Sequence, residues 1–372
     1  MVAEAIEAMT RELTRTGNAS SLHSSGRDAR RVVEESREVI AARVGARPAE
    51  VIFTSGGTEA DNLAIKGTFW SARRSDSPRR TLVSSAVEHH AVLDSVAWLE
   101  SEGADLTLVP VDSVGRVDLA ALAEAISPYT ALVTVMWANN EVGSVQPLSA
   151  VVALAAAHGV PVHSDAVQAV GHLPVDFAAS GLALLSLTAH KLGGPYGIGA
   201  LLARRDSVLT AVQHGGGQER EVRSGTLDVA AVAGFAAAME VAVARRATEE
   251  DRVRRLRAEM IRGVLTAVPD ATLNGPLDDQ ILPGVANVTF PGGDADAVLM
   301  LLDAAGIDCS TGSACSAGVS QPSHVLMAMG RSEGAARSSL RFSLGHTSTA
   351  ADVAALVAAL PEAVRRARAA AA

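Results

Sequence analysis

A side-chain amine that must lose its proton to act can come from lysine but not from arginine, whose guanidinium stays charged in proteins. This chain of 372 residues carries two lysines, Lys66 and Lys191, against thirty arginines. Lys191 follows the apolar run Leu182-Ala183-Leu184-Leu185-Ser186-Leu187-Thr188 and precedes Gly193-Gly194-Pro195-Tyr196-Gly197. That is the pattern of a strand ending in a tight functional loop, where a nucleophilic amine is expected. Lys66 closes the stretch Asn62-Leu63-Ala64-Ile65-Lys66 just before Gly67. There a cation suits a helix C-terminus, so a structural role is expected.

Other residues could serve such an amine. Asp165 closes Val162-His163-Ser164-Asp165, and Gln168 follows at turn spacing. Pyridoxal phosphate needs this pair: a carboxylate keeps its ring nitrogen protonated, and a neutral donor can bond its phenolic oxygen. The other use of Asp165 is as a helix N-cap. His89, in Val87-Glu88-His89-His90, suits stacking on a ring or capping a helix. The segment Thr54-Ser55-Gly56-Gly57-Thr58-Glu59-Ala60-Asp61-Asn62 joins a strand to a helix, with Thr58 and Asp61 spaced as a capping box. Helix-start N–H groups approached closely past glycine would cradle a phosphate; the alternative is an ordinary capped turn. Cys315, in Ser310-Thr311-Gly312-Ser313-Ala314-Cys315-Ser316-Ala317-Gly318, suits an exposed nucleophilic thiol, whereas Cys309 ends an apolar segment and reads as a small buried hydrophobe. Cys309, Cys315 and His324 match no regular zinc spacing, so no metal site is expected.

The elements that must position these groups follow from the pattern. Short β-rich runs at 51–54, 81–84, 106–109, 132–136, 161–164, 182–188 and 199–203 alternate with helical stretches, which predicts an α/β domain with a largely parallel sheet. Ligands in such sheets bind at the carboxyl ends of strands. Helical pattern from about Asp228 to Val268 leads into a second domain with a strand near Val285 to Phe290, and a helix is expected from Ala350 onward. A chain of this length, 48% hydrophobic and 20% charged, reads as an ordinary globular protein of two domains. A net charge of −9 argues against direct DNA binding, which needs a basic surface. No apolar stretch reaches the length of a bilayer span, no signal peptide is expected, and two cysteines fit a reducing cytoplasm better than a disulfide framework.

In their order, these segments resemble the cysteine desulfurases of the NifS and IscS group in the class V aminotransferase superfamily. The likeness runs from about Gly17 to Thr349. Its most specific pieces are Ser55-Gly56-Gly57-Thr58-Glu59-Ala60-Asp61-Asn62, Asn139-Asn140-Glu141-Val142-Gly143, Ala189-His190-Lys191, His214-Gly215-Gly216-Gly217-Gln218-Glu219-Arg220 with Arg223-Ser224-Gly225-Thr226, Gly312-Ser313-Ala314-Cys315, and Arg341-Phe342-Ser343-Leu344-Gly345. The resemblance implies fold type I: a large domain, here 1–245, with a mostly parallel seven-stranded sheet, and a smaller α+β domain, 246–372, carrying the cysteine loop. It implies pyridoxal 5'-phosphate as cofactor, held as a Schiff base by Lys191. Gly57, Thr58, Thr188 and His190 would surround the phosphate, and Thr226 would reach the phosphate in the other subunit of a homodimer. Asp165 and Gln168 would hold the ring and His89 would stack on it. Asn140 and Arg341 would receive the substrate carboxylate, a task suited to a guanidinium fork.

The implied reaction converts L-cysteine to L-alanine and leaves a persulfide on Cys315, for an acceptor such as an iron–sulfur scaffold or a sulfur carrier. The family opens with a short strand that this chain is expected to lack, since Met1-Val2-Ala3-Glu4-Ala5-Ile6 reads as part of the following helix. Two rival readings remain open: a cysteine or selenocysteine lyase that forms no protein persulfide, and a noncatalytic subunit.

Overall fold

A computed structural model describes residues 1–75, 77–312 and 321–371. The chain divides into two compact units, one of residues 1–109, 119–137 and 147–246, the other of 110–118, 138–146 and 247–372. Segments 110–118 and 138–146, which precede residue 245 in sequence, thus belong with the second unit.

The first unit is built on seven strands, β1 (Val51–Thr54), β2 (Thr81–Ser85), β3 (Asp105–Val109), β4 (Thr130–Thr134), β5 (Val162–Asp165), β6 (Leu184–Thr188) and β7 (Gly199–Ala203), in the order β1-β7-β6-β5-β4-β2-β3. Strands β3, β2, β4, β5 and β6 pair in parallel, and β7 runs antiparallel to both β6 and β1. The sheet is the α/β architecture expected of fold type I. Every residue of β1, β4, β5, β6 and β7 is buried, which is why β1, β4, β6 and β7 read as largely apolar runs rather than alternating ones, while β5 buries the polar His163, Ser164 and Asp165. Edge strand β3 is the exception, with only Val109 buried. Strands β4 and β5 sit within two residues of the runs read from sequence. Ile52, Leu63, Ile65, Phe69, Leu82, Val96 and Leu132 form the core between the sheet and the helices Gly57–Arg74 and His90–Ser101.

Lys66 does not end a helix. Helix Gly57–Arg74 continues through Gly67, where a Cβ would stand 3.0 Å from the Thr210 carbonyl oxygen. That glycine serves close packing, not a stop. The Lys66 ammonium instead lies over the Trp98 ring, 4.5 Å from its centroid, and Trp98 meets Trp70 edge-on at 5.8 Å.

One ion pair fastens a turn of this unit. Arg37, on helix Ser24–Arg43, donates two bonds to the buried Glu219 carboxylate at 2.7 and 2.8 Å, and the Phe53 N–H donates a third at 2.7 Å. Glu219, Arg220 and Glu221 have φ of 42°, 60° and 63°, three successive non-glycine residues in the left-handed region.

The second unit holds a three-stranded antiparallel sheet of β8 (Thr272–Asn274), β9 (Val285–Thr289) and β10 (Ser339–Ser343), in the order β10-β9-β8. Ala286, Val288 and Leu340 on one sheet face pack with Val298 and Leu302 of helix Ala295–Asp303, with Leu360 and Val364 of helix Ala350–Ala371, and with Met260 and Val264 of helix Val229–Ala267. Among the described residues no helix is long and apolar enough to cross a membrane.

Candidate active site

The first unit gathers its candidate residues where strands end. After β1 the chain turns at Ser55 and Gly56 into helix Gly57–Arg74. Gly56 is the N-cap, with φ 155° and no side-chain cap. A Cβ at Gly199 would lie 2.8 Å from the Gly56 backbone and 2.5 Å from the Leu187 carbonyl oxygen, so only glycine lets β7 pass this turn. The expected Thr58–Asp61 capping box does not form. Ala60, Asp61, Ala64 and Ile65 form the buried face of the helix, so Asp61 is turned into the interior and cannot reach back to the first turn. Glu59 takes the Ser55 N–H instead, at 2.6 Å, and its charge is answered by Arg223 at 2.8 Å. Exposed Thr58, the hydroxyl of Thr188 and the imidazole of His190, 3.0 Å from that hydroxyl, stand around this region. A Cβ at Gly56 would come 3.9 Å from the Thr188 hydroxyl, which places Thr188 beside the helix start. Hydroxyls, imidazole and the positive end of a helix together are the donor chemistry a phosphate needs.

Lys191 lies in a single 3-10 turn, His190–Leu192, directly after β6, and its side chain is exposed. Gly193, at φ 79°, closes the turn, and the Val2 N–H donates to the Gly193 carbonyl at 2.7 Å. Asp165 ends neighbouring strand β5 and is buried. Its Oδ1 accepts the Val167 N–H at 2.8 Å, so it caps a turn rather than a helix and leads the chain to half-buried Gln168. Burial pushes its carboxyl up to about 6, against the Val167 N–H and the Lys191 charge, which both favour the carboxylate. Lys191 and Asp165 are thus in electrostatic reach of each other. Burial, then the Lys191 charge, lowers the pKa of His190.

Of the two uses read from its position, His89 takes up the cap. It is the N-cap of helix His90–Ser101, with Nδ1 accepting the Ala91 N–H at 3.1 Å, and this leaves the ring proton on Nε2. Exposed Thr226 precedes helix Val229–Ala267.

Sequence reasoning gave no role to Glu88 or His163 and only a cap to Asp61, and all three are buried here. Glu88 is fully buried, and its Oε1 accepts the Ser85 hydroxyl at 2.5 Å and the Met136 N–H at 2.8 Å; burial, the largest cause, raises it to about 8. Asp61 and His163 lie side by side, Oδ1 to Nε2 3.6 Å, with nothing of either side chain exposed beyond 2%. The signal for His163 was its position two residues before Asp165, hence on the same face of a strand.

In the second unit, Arg341 of β10 donates to the Asn140 carbonyl at 3.0 Å. The Arg341 backbone also exchanges two bonds with Ser310, at 2.6 and 3.1 Å. Beside Asn140, buried Glu141 accepts the Ser323 hydroxyl at 2.5 Å. Cys315 lies outside the described residues. Cys309 is half-buried against the core, and burial, with Asp308 and Asp303, pushes its thiol up to about 11, so it remains a thiol at neutral pH.

Comparison with known proteins agrees with this geometry. The family model described as aminotransferase class-V matches residues 1–356. An IscS-like cysteine desulfurase of Mycobacterium tuberculosis is 56% identical over 370 residues, which cover 99% of this chain and 94% of the relative. Among solved structures, a NifS-like protein superposes with a TM-score of 0.90 at 33% identity, covering 98% of this chain and 96% of its own. A structure described as SspA in complex with cysteine gives a TM-score of 0.80 at 34% identity, covering 92% and 95%. The chain belongs to the class-V aminotransferase family and is a pyridoxal-phosphate-dependent enzyme. Within that family it falls with the cysteine desulfurases of the IscS and NifS group.

Proposed function

We propose that this enzyme takes the sulfur of L-cysteine, leaves L-alanine, and carries the sulfur as a persulfide on Cys315 to an acceptor protein, an iron–sulfur scaffold or a sulfur carrier. The observation that supports the reading is the placement of Asp165 at the end of β5 and of Lys191 in the turn after the adjacent parallel strand β6, beside a helix start set with phosphate donors. Gly57, Thr58, Thr188 and His190 would hold the phosphate of the cofactor, Asp165 and Gln168 its ring, and His89 would lie against that ring. When bound, the cofactor supplies an electron sink for the bond to the substrate α-hydrogen.

The residues do the rest. Arg341 and Asn140 bind the substrate carboxylate. The Lys191 amine takes the α-proton and later returns one, His89 Nε2 holds a proton at the reacting face, and the Cys315 thiolate accepts the sulfur. Thr226 would serve the phosphate of the second subunit in a homodimer. The two cysteines suit the cytoplasm, where thiols stay reduced.

Labelled L-cysteine followed by peptide mapping tests the reading. The expected result is label on the peptide carrying Cys315, with sulfur transfer abolished in C315A. Full sulfur release by C315A would instead point to a lyase that forms no persulfide.

A further inference from the structure

The turn that leads from β1 into helix Gly57–Arg74 is gripped by the glycine-rich segment 213–226, and the grip has an electrostatic side. Glu59 is the third residue of that helix, and its Oε2 accepts the Ser55 N–H at 2.6 Å, so the carboxylate folds back over the first helical turn. Arg223 meets it with a fork: Nε lies 2.8 Å from Glu59 Oε1 and Nη2 lies 3.2 Å from Oε2. The pair is mostly buried, with 14% of the Arg223 side chain and 22% of that of Glu59 exposed. On the other side of the turn the same segment reaches β1, where buried Glu219 accepts the Phe53 N–H at 2.7 Å.

The backbone that presents Arg223 is itself fixed. The Gln213 side-chain amide donates to the Ser224 carbonyl at 2.8 Å, the Gly217 N–H donates to the Ser224 hydroxyl oxygen at 3.2 Å, and the Gly225 N–H donates to Gln218 Oε1 at 2.9 Å. The two residues after Arg223 are thus tied into the segment, and a guanidinium held this way loses little freedom in making a two-point bond. A helix start offered to a phosphate should not already hold an uncompensated anion. Ala60 bonds to the Gly56 carbonyl at 3.1 Å, so the N–H groups of Gly57, Thr58 and Glu59 are the ones with no partner inside the helix. Their positive potential would attract a phosphate, and a carboxylate in the same turn draws on that potential and repels a second anion. Burial works to raise the Glu59 pKa, but the bonds from Arg223 and Ser55 prevail and hold its carboxyl below the ordinary glutamate range, so the charge is present at neutral pH.

We infer that Arg223 is a positioning residue of the phosphate pocket, acting through Glu59: its fork holds the carboxylate against Ser55, offsets its charge, and leaves the helix start open to a phosphate dianion. The inference rests on the reading in which this turn receives the cofactor phosphate. Glu59 is then a brace and not a contact, useful to the geometry of the turn and opposed to phosphate once its arginine is gone.

Titration of the full-length apoprotein with pyridoxal 5'-phosphate and with pyridoxal, which lacks the phosphate, tests the inference. Both carry the aldehyde that Lys191 would trap, so the ratio of their dissociation constants isolates what the phosphate contributes. In R223A the preference for the phosphate ester should fall about tenfold against wild type, a modest share of what like charges cost when brought together. E59Q, whose amide oxygen can still accept the Ser55 N–H, should keep the wild-type preference or exceed it, and E59Q/R223A should recover most of what R223A loses. A merely structural pair would weaken both ligands equally and leave the preference unchanged in R223A, which overturns the inference. So does a double variant as poor as R223A, the mark of an arginine that binds phosphate itself. If R223A does not fold, E59Q decides, and a loss of preference in it counts against the inference. A wild type with no preference for the phosphate ester would sink the phosphate reading and the inference together, whereas a wild-type preference that survives in R223A sinks the inference alone.

Discussion

At the scale of single residues, the chain concentrates its reactive chemistry where neighbouring strands end. Lysine cannot be replaced by arginine at position 191, because a guanidinium keeps its proton. K191R should therefore lose trapping by borohydride, and kcat should fall by on the order of 10³ or more, the scale of removing a group that acts chemically. Glu88 gives a pH prediction. Its folded pKa, about 8, lies above the ordinary glutamate value of 4.5, so its contribution to stability is intact below that lower value and is lost as pH rises through about 8. Thermal melts across that window should show the wild type losing more Tm than E88Q with rising pH. Parallel loss in the two proteins would mean that Glu88 is not the titrating group.

At the scale of elements, the glycine turn and the strands beside it carry the precision of the site. G199A sets a Cβ against backbone on both sides, so the strand must shift. Destabilisation of about 1–3 kcal/mol is expected, measured by denaturant midpoint, together with weaker cofactor retention. Strands such as β4 and β6 were legible because buried strands leave largely apolar runs; the candidate site residues were sought at strand ends because that is where such sheets bind ligands. The burial of Asp61 was not legible, because its neighbour His163 comes from a strand far away in sequence and spacing alone offered it a cap. Lys66 was misread for a related reason. Gly67 looked like a stop, but its small size answers the nearby Thr210 backbone, a contact far away in sequence.

At the scale of the whole molecule, the two units cannot be parted by one cut. Segments 110–118 and 138–146 find their partners far downstream: Arg116 pairs with Asp278, and the Val145 N–H donates to the Gln280 carbonyl at 3.1 Å. A fragment of residues 1–246 should leave both segments without their downstream partners and show rapid proteolysis there, whereas slow cleavage would show that the segments hold without them. The Arg37–Glu219 pair ties distant parts of the first unit in the same way. R37A leaves a buried carboxylate uncompensated and should lower stability by about 3–5 kcal/mol in denaturant titrations, with the double variant R37A/E219Q recovering part of the loss.

The scarcity of lysine also has a practical side. An acylating dye meets two side-chain amines along the chain, and one of them rests on the indole of Trp98. On the proposed reading the other is the coenzyme's own seat, so the extent of labelling at 191 would gauge how many molecules in a preparation are empty.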